Sequence, residues 1–279
     1  MREKSLKLLF GFLLLAAFFG DTAAQGQVRY RKLTFKDEFN GPAGAPVDSS
    51  KWTAETGGGG WGNQELEYHT NSIDNAYQDG GGALVIKAIK LTPPLNLSCW
   101  YGPCQYTSAR LITKGKFEQK YGRFEARLKI PRGQGMWPAF WMLGNNIDTV
   151  SWPACGEIDI MENIGREPSI VHGTVHGSGY SGGNGIGSSF SFPNNAVFAD
   201  DYHIYATEWS ASEIRFFVDG NLYKTITPAD LPQGAAWAFD HPFFMILNVA
   251  VGGGWPGSPD GTTSFPQTMM VDYVRVYKR

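Results

Sequence analysis

Three acids fall within six residues of the stretch Trp152–Gly165, W-P-A-C-G-E-I-D-I-M-E-N-I-G: Glu157, Asp159 and Glu162. Between them stand only Ile158, Ile160 and Met161. On a β-strand successive side chains alternate faces, so Glu157 and Asp159 point one way while Ile158 and Ile160 point into a core. Glu162 has the wrong parity by one residue, and a bulge at Ile160–Met161 would restore it to the acid face. Four strand steps cover about 13 Å, and two Glu side chains each reaching roughly 4 Å inward leave carboxyls on the order of 5 Å apart. That is the separation of a retaining glycosidase, not an inverting one. Asp159, between the two, is placed to push their proton affinities apart. An exposed acidic strand face or an oxygen-rich ion site would use the same residues, so the neighbours have to decide.

Those neighbours are aromatic. Trp137 and Trp141 in R-G-Q-G-M-W-P-A-F-W-M-L-G are four apart and share a face on a strand, while Trp152 and Trp255 stand among Gly and Pro. Indoles stack on the apolar C–H faces of sugar rings, with polar groups around them taking the hydroxyls. Asn63 and Glu65 follow a run of four glycines, Gly57 to Gly60, and are candidate hydroxyl partners or loop braces. No helix or Lys follows as a phosphate cradle would need. Arg110 either faces the same cleft or pairs with a surface acid. His172 and His176 have the spacing of zinc ligands on a helix, but their Gly and β-branched neighbours read as strand and no third ligand stands out. His176 is expected to bond substrate or support an acid.

The elements that must position these groups are strands. Gly, Trp, Tyr and Phe are abundant and no long amphipathic helical stretch occurs. Residues 123–130 and 271–277 alternate cleanly, and residues 214–218 and 222–226 flank the hairpin signal Asp219-Gly220-Asn221. Residues 83–89 and 243–251 are more continuously apolar, as strands buried on both faces would be. Many strands with Gly/Pro punctuation predict an all-β jelly-roll sandwich of two packed antiparallel sheets.

A basic head at Arg2, Lys4 and Lys7, an apolar run from Leu8 to Phe19 and a small-residue site at Thr22-Ala23-Ala24 predict a signal peptide over residues 1–24 and a secreted product. The apolar run is too short to span a membrane. Residues 25–279 read as one domain without linker, repeat or low-complexity tract. The leader takes three basic and two acidic groups, leaving 21 Lys plus Arg against 24 Asp plus Glu. This mild acidity gives no footing for nucleic acid or anionic membranes. Cys99 and Cys104, in S-C-W-Y-G-P-C, are expected to form a disulfide in an exported chain, with Cys155 left free.

The set W-G-N-x-E, S-A-R-L, Y-G-R-F-E-A-R, G-x-W-P-A-F-W-M-L-G, W-P-x-x-G-E-I-D-I-M-E, H-G-T-V-H and D-Y-V-R-V-Y occurs in order over nearly all of residues 30–279. It resembles glycoside hydrolase family 16, most closely its laminarinase-like endo-β-1,3-glucanases. The resemblance implies a β-jelly roll with an open substrate cleft on its concave face. It implies Glu157 as nucleophile, Asp159 as assisting carboxylate and Glu162 as general acid/base. Asn63, Arg110, Trp137, Trp141, Trp152 and His176 match cleft-lining positions. Catalysis would need no cofactor, a β-glucan would be the partner, and a monomer is expected. Glu38, a backbone carbonyl near Gly81, and Asp272 match a structural calcium site on the convex side. Residues 91–106, with the two cysteines, depart from the pattern and are expected to border one end of the cleft.

A β-glucan-binding lectin of the same fold is the rival outside enzymes, and the presence of both Glu157 and Glu162 speaks against it. A structural wall protein fits less well. Within enzymes, mixed-linkage β-1,3-1,4-glucan and marine galactans are the alternative substrates. The Met in E-I-D-I-M-E and the W-P-x-x-G lead-in favour β-1,3-glucan through the resemblance.

Overall fold

The computed structural model describes residues 30–92 and 95–279. The expected leader, residues 1–24, lies outside them. Two sheets pack face to face. A ten-stranded sheet runs in the order Asn221–Ile226, Ile214–Val218, His203–Trp209, Gly122–Lys129, Gln267–Lys278, Leu84–Lys90, Tyr106–Ser108, Glu67–His69. Lys32–Asp37 and Ala76–Gln78 pair beside that path. A seven-stranded sheet runs Ile186–Phe190, Val171–His176, Glu157–Glu162, Met136–Gly144, Phe243–Val251, Arg110–Ile112, Thr53–Glu55. The pairing is antiparallel except between Glu67–His69 and Tyr106–Ser108, which run parallel. The jelly-roll expectation stands, with that one exception to its antiparallel pairing. Among the described residues no helix is long and apolar enough to cross a membrane.

Sequence pattern and burial agree strand by strand. Gly122–Lys129 alternates buried and half-buried along its whole length, whereas all of Phe243–Val251 is buried. The hairpin between Ile214–Val218 and Asn221–Ile226 turns on Asp219 and Gly220, both at positive φ (48° and 78°), the two-residue turn whose twist matches its strands.

The acid strand, Glu157–Glu162, carries the predicted irregularity. Phe140 pairs with Met161 but the next residue, Trp141, pairs with Asp159, leaving Ile160 without an opposite number. On its other side the register likewise slips between Asp159 and Glu162. Ile158, Ile160 and Met161 are all buried in the core between the sheets. Two consecutive core residues are thus what turn Glu162 back to the face of Glu157 and Asp159. Glycines bracket the strand because neighbours crowd it. A Cβ at Gly156, which has φ +74°, would lie 2.9 Å from Ala238 O, and one at Gly165 would overlap the Gly133 carbonyl.

Cys99 and Cys104 form the expected disulfide, closing a small hairpin of Ser98–Cys99 against Gly102–Pro103. Cys155 is free and buried. The calcium set fares differently. Arg275 donates Nε and Nη2 to the two carboxylate oxygens of Glu38 at 2.9 and 2.8 Å. Arg127 Nη1 donates to Asp272 at 2.7 Å, and Gly81 turns its N–H to Asp79. With both carboxylates neutralised by guanidinium groups, these side chains as arranged do not fit a dication.

Candidate active site

A cleft of about 820 Å³ opens on the face of the seven-stranded sheet turned away from the core. The acid strand lies third from one edge. Two strands flank it on one side, bringing His172, Thr174 and His176. Four flank it on the other, bringing Trp137, Trp141, Asn248 and Arg110. The cleft therefore has a short arm and a long arm about the acids.

Each of the two catalytic Glu residues is held by an indole. Trp152 Nε1 donates to Glu157 Oε2 at 2.6 Å, and Trp137 Nε1 donates to Glu162 Oε1 at 3.0 Å. His176 Nε2 lies 3.0 Å from Asp159 Oδ2 and 3.9 Å from Glu157 Oε1, without hydrogen-bond alignment to Asp159. Trp255 packs edge-on between Trp137 and His172, with ring centroids 5.4 and 5.1 Å away. His172 is itself tied to Glu167 at 3.1 Å, so the two histidines of H-G-T-V-H serve different acids and share no ligand.

On the long arm Arg110 does both things the sequence left open. Its Nε donates to Glu55 at 2.5 Å, and its guanidinium lies between the rings of Trp61 and Trp141, 4.8 and 4.7 Å from their centroids. Such a sandwich fixes three groups at once through charge on π-faces. Trp141 Nε1 donates to Asn248 at 2.7 Å, which turns that amide into the cleft. Asn63 Nδ2 donates to Glu65 Oε1 at 3.0 Å.

Behind Glu65 lies a second acid set. Glu65, Glu67 and His69 are buried, and one ligating atom from each falls within 4.8 Å of the others. Glu67 Oε2 accepts the Val251 N–H at 2.6 Å, and His69 Nε2 stands 3.1 Å from Glu67 Oε1. The trio Glu157, Asp159 and His176 is gathered equally closely.

Desolvation dominates the electrostatics of both sets. Burial, then the charge of Asp159, holds the Glu157 carboxyl well above the usual range, and burial, then Glu162, does so for Asp159. Burial, then Glu157, pushes Glu162 up to about 7, against the pull of His176 and the Trp137 N–H. Three carboxyls in one poorly hydrated patch raise one another's proton affinity, so they do not titrate independently. In the second set burial, then Glu67, pushes Glu65 up to about 8, while burial alone pushes Glu67 up to about 7, and burial, helped by the charge of Arg110, pushes His69 down to about 3.

Every residue predicted to act or to bind substrate, from Asn63 to Trp255, lines this one cleft. Reasoning from sequence missed Trp61, Asn248, Glu55, His172 in a supporting role, and the Glu67–His69 pair. The last had a signal: in E-L-E-Y-H the polar residues recur at every second place, the strand period that also marks the acid strand. It also missed that Trp137 and Trp152 donate to the acids, because a tryptophan's ring suggests stacking before its N–H suggests a donor.

The sequence signature of Glycosyl hydrolases family 16 matches residues 61–275. The chain is 43% identical to the beta-glucanase of Rhodothermus marinus, over 98% of this chain and 92% of that protein. It is 41% identical to glucan endo-1,3-beta-glucosidase A1 of Niallia circulans, spanning 88% of this chain but only 38% of that longer protein. Its fold superposes on the laminarinase catalytic domain of Thermotoga maritima with a TM-score of 0.82 at 50% identity, covering 89% of this chain and 98% of that one. Two acids on one bulged strand, in a cleft walled by indoles on this sandwich, define a glycoside hydrolase. The chain belongs to family 16.

Proposed function

We propose that this chain is a secreted endo-β-1,3-glucanase that works with retention of configuration. The observation that carries the reading is the bulge at Ile160, which sets Glu162 beside Glu157 on one cleft face with a separate indole donor on each. The names of its relatives support the β-1,3 linkage. In the first step Glu162 gives its proton to the glycosidic oxygen as the C1–O bond breaks, and Glu157 forms a bond to C1. In the second, water attacks C1, Glu162 takes its proton, and the Glu157 ester is released. A general acid must still hold its proton at working pH, which the raised Glu162 meets. Glu157 has to be ionised to attack, and the Trp152 N–H and nearby His176 favour that charge. Asp159, packed beside Glu157, holds that carboxyl's proton affinity up by its charge, so the two titrate as a pair. An open cleft with arms on both sides suits cutting within a chain more than trimming its end.

Reducing-sugar release from laminarin, lichenan, agarose, carrageenan and xylan tests the substrate, with laminarin expected to lead. Proton NMR of the first product should show the β-anomer. Early glucose as sole product would refute endo action, and an early α-anomer would refute retention. Binding to laminarin without any product, from folded protein, would place the chain among the glucan-binding members of its fold.

A further inference from the structure

Trp100 is 52% exposed, at the tip of the small hairpin that the Cys99–Cys104 bridge closes. A half-exposed indole is ordinary on a surface; a fixed one is not. Trp100 Nε1 donates to the Glu65 carbonyl at 2.8 Å and its backbone N–H donates to Gly58 O at 2.8 Å. The hydroxyl of Tyr101 donates to Leu66 O at 2.6 Å, and its ring meets Trp100 edge-on at 5.5 Å. The glycine run explains how the hairpin comes so close. A Cβ on Gly58 would stand 2.6 Å from Cys99 Sγ, and one on Gly60 would stand 2.9 Å from Trp100 Cδ1. Two hydrogen bonds, a bridge and a neighbouring ring thus hold an apolar face to solvent.

Its position gives that face a use. Gly57 to Gly60 continue directly from Thr53–Glu55, the outermost strand on the long-arm side of the acids. Trp100 touches Gly60 and bonds Glu65, and the residues next to and between these, Trp61, Gly62 and Asn63, line the cleft. We infer that Trp100 is an added sugar platform, stacking a glucosyl unit of a β-glucan chain where it leaves the long arm of the cleft. This rests on the reading of the cleft as a β-glucan site. A sugar ring offers its C–H face to the indole, and because the ring is already immobile little ordering entropy is lost on binding.

The test compares the parent, Trp100→Ala and Trp100→Phe on laminarin and on a β-1,3-linked trisaccharide. Laminarin affinity is measured in the Glu157→Ser background. A stacking contact of this kind corresponds to about a three- to tenfold effect. Trp100→Ala should lose that factor in kcat/KM and affinity for laminarin and nothing on the trisaccharide, because Trp100 is not among the residues that line the cleft itself. Trp100→Phe, which keeps a ring but not the N–H, should retain most of the parent's affinity. Equal loss on both substrates, or Phe as weak as Ala, would make Trp100 a brace for the Glu65 loop and overturn the inference. So would an unchanged Trp100→Ala with a native melting temperature. A parent that neither binds nor cuts β-1,3-glucan would instead sink the reading of the cleft itself.

Discussion

Two sets of acids with a histidine stand in and behind one cleft, and they differ in a way that separates chemistry from burial. Glu157, Asp159 and His176 gather as closely as Glu65, Glu67 and His69, and desolvation raises the carboxyls of both sets. The first is open to the cleft, where a bulge brings Glu162 to join it and where Glu157 and Glu162 each have their own indole donor. In the second, Glu67 and His69 are sealed and only Glu65 reaches the cleft. Perturbed proton affinity alone does not mark a catalytic site; a shifted group must also be reachable by substrate. If that is the distinction, substitutions in the two sets should have opposite signatures, one in rate and the other in stability.

The largest effect is expected at the open set. Glu157→Gln and Glu162→Gln should each lower kcat at least on the order of a thousandfold, since one removes the nucleophile and the other the proton donor. Glu67→Gln should leave kcat within about tenfold, because the side chain does not reach the cleft and acts there only through its neighbour Glu65 and the charge of Arg110. Initial rates on laminarin decide it. A thousandfold loss in Glu67→Gln, with its fold intact, would erase the distinction between the sets.

Next comes the bulge that opens the first set. Deleting Met161 leaves E-I-D-I-E, in which all three acids share parity without an extra residue. Glu162 should stay on the cleft face but move by a fraction of a residue, and a misplacement of about 1 Å costs on the order of a hundredfold. Met161→Leu keeps the count and nearly the volume, so most activity should survive. Full activity in the deletion would mean that the bulge is not what sets the distance between the two Glu side chains.

How much of this was legible in sequence follows from the same physics. Parity is a property of two-residue periodicity, so the misfit of Glu162 and the bulge that cures it could be read from E-I-D-I-M-E alone. The apolar run from Phe243 to Val251 likewise announced a strand buried on both faces. What stayed hidden depends on long-range contacts. That Arg110 would lie between Trp61 and Trp141, or that Glu38 would be taken by Arg275, follows from no local pattern, because the partners are far apart in the chain.

A smaller effect tests the donors. The Trp137 N–H favours the ionised form of Glu162. Trp137→Phe keeps a ring in the cleft and removes that donor, so the Glu162 carboxyl should climb further above about 7. The alkaline limb of kcat/KM, where the general acid loses its proton, should then move to higher pH, with a loss at the optimum of about tenfold at most. A limb that stays in place would show that the indole contributes only its ring.

The smallest change in rate, but a distinct signature in stability, is expected from the sealed set. Unfolding returns Glu65 and Glu67 to ordinary carboxyls near 4.5, whereas the native chain holds them at about 8 and about 7. Between those limits the native state binds more protons than the unfolded one. Stability therefore falls as pH rises through about 7 to 8, by at most about 1.4 kcal/mol per pH unit for each proton. His69, pushed down to about 3, works in the opposite direction, but only where the unfolded imidazole is charged, below its ordinary value of 6.5. A window from about pH 6.5 to 8.5 thus isolates the two Glu side chains from it. Glu162 titrates in the same window in both proteins, and Glu65 is the weakest of the influences on it, so most of its contribution cancels in the difference. Glu67→Gln cannot ionise and no longer raises Glu65 by its charge, so it should lose less stability across that window than the parent does. Chemical denaturation at the two ends of the window gives the difference directly. Parallel slopes for the two proteins would mean that Glu67 already titrates as an ordinary acid, and that the sealed set is not held against its own charge.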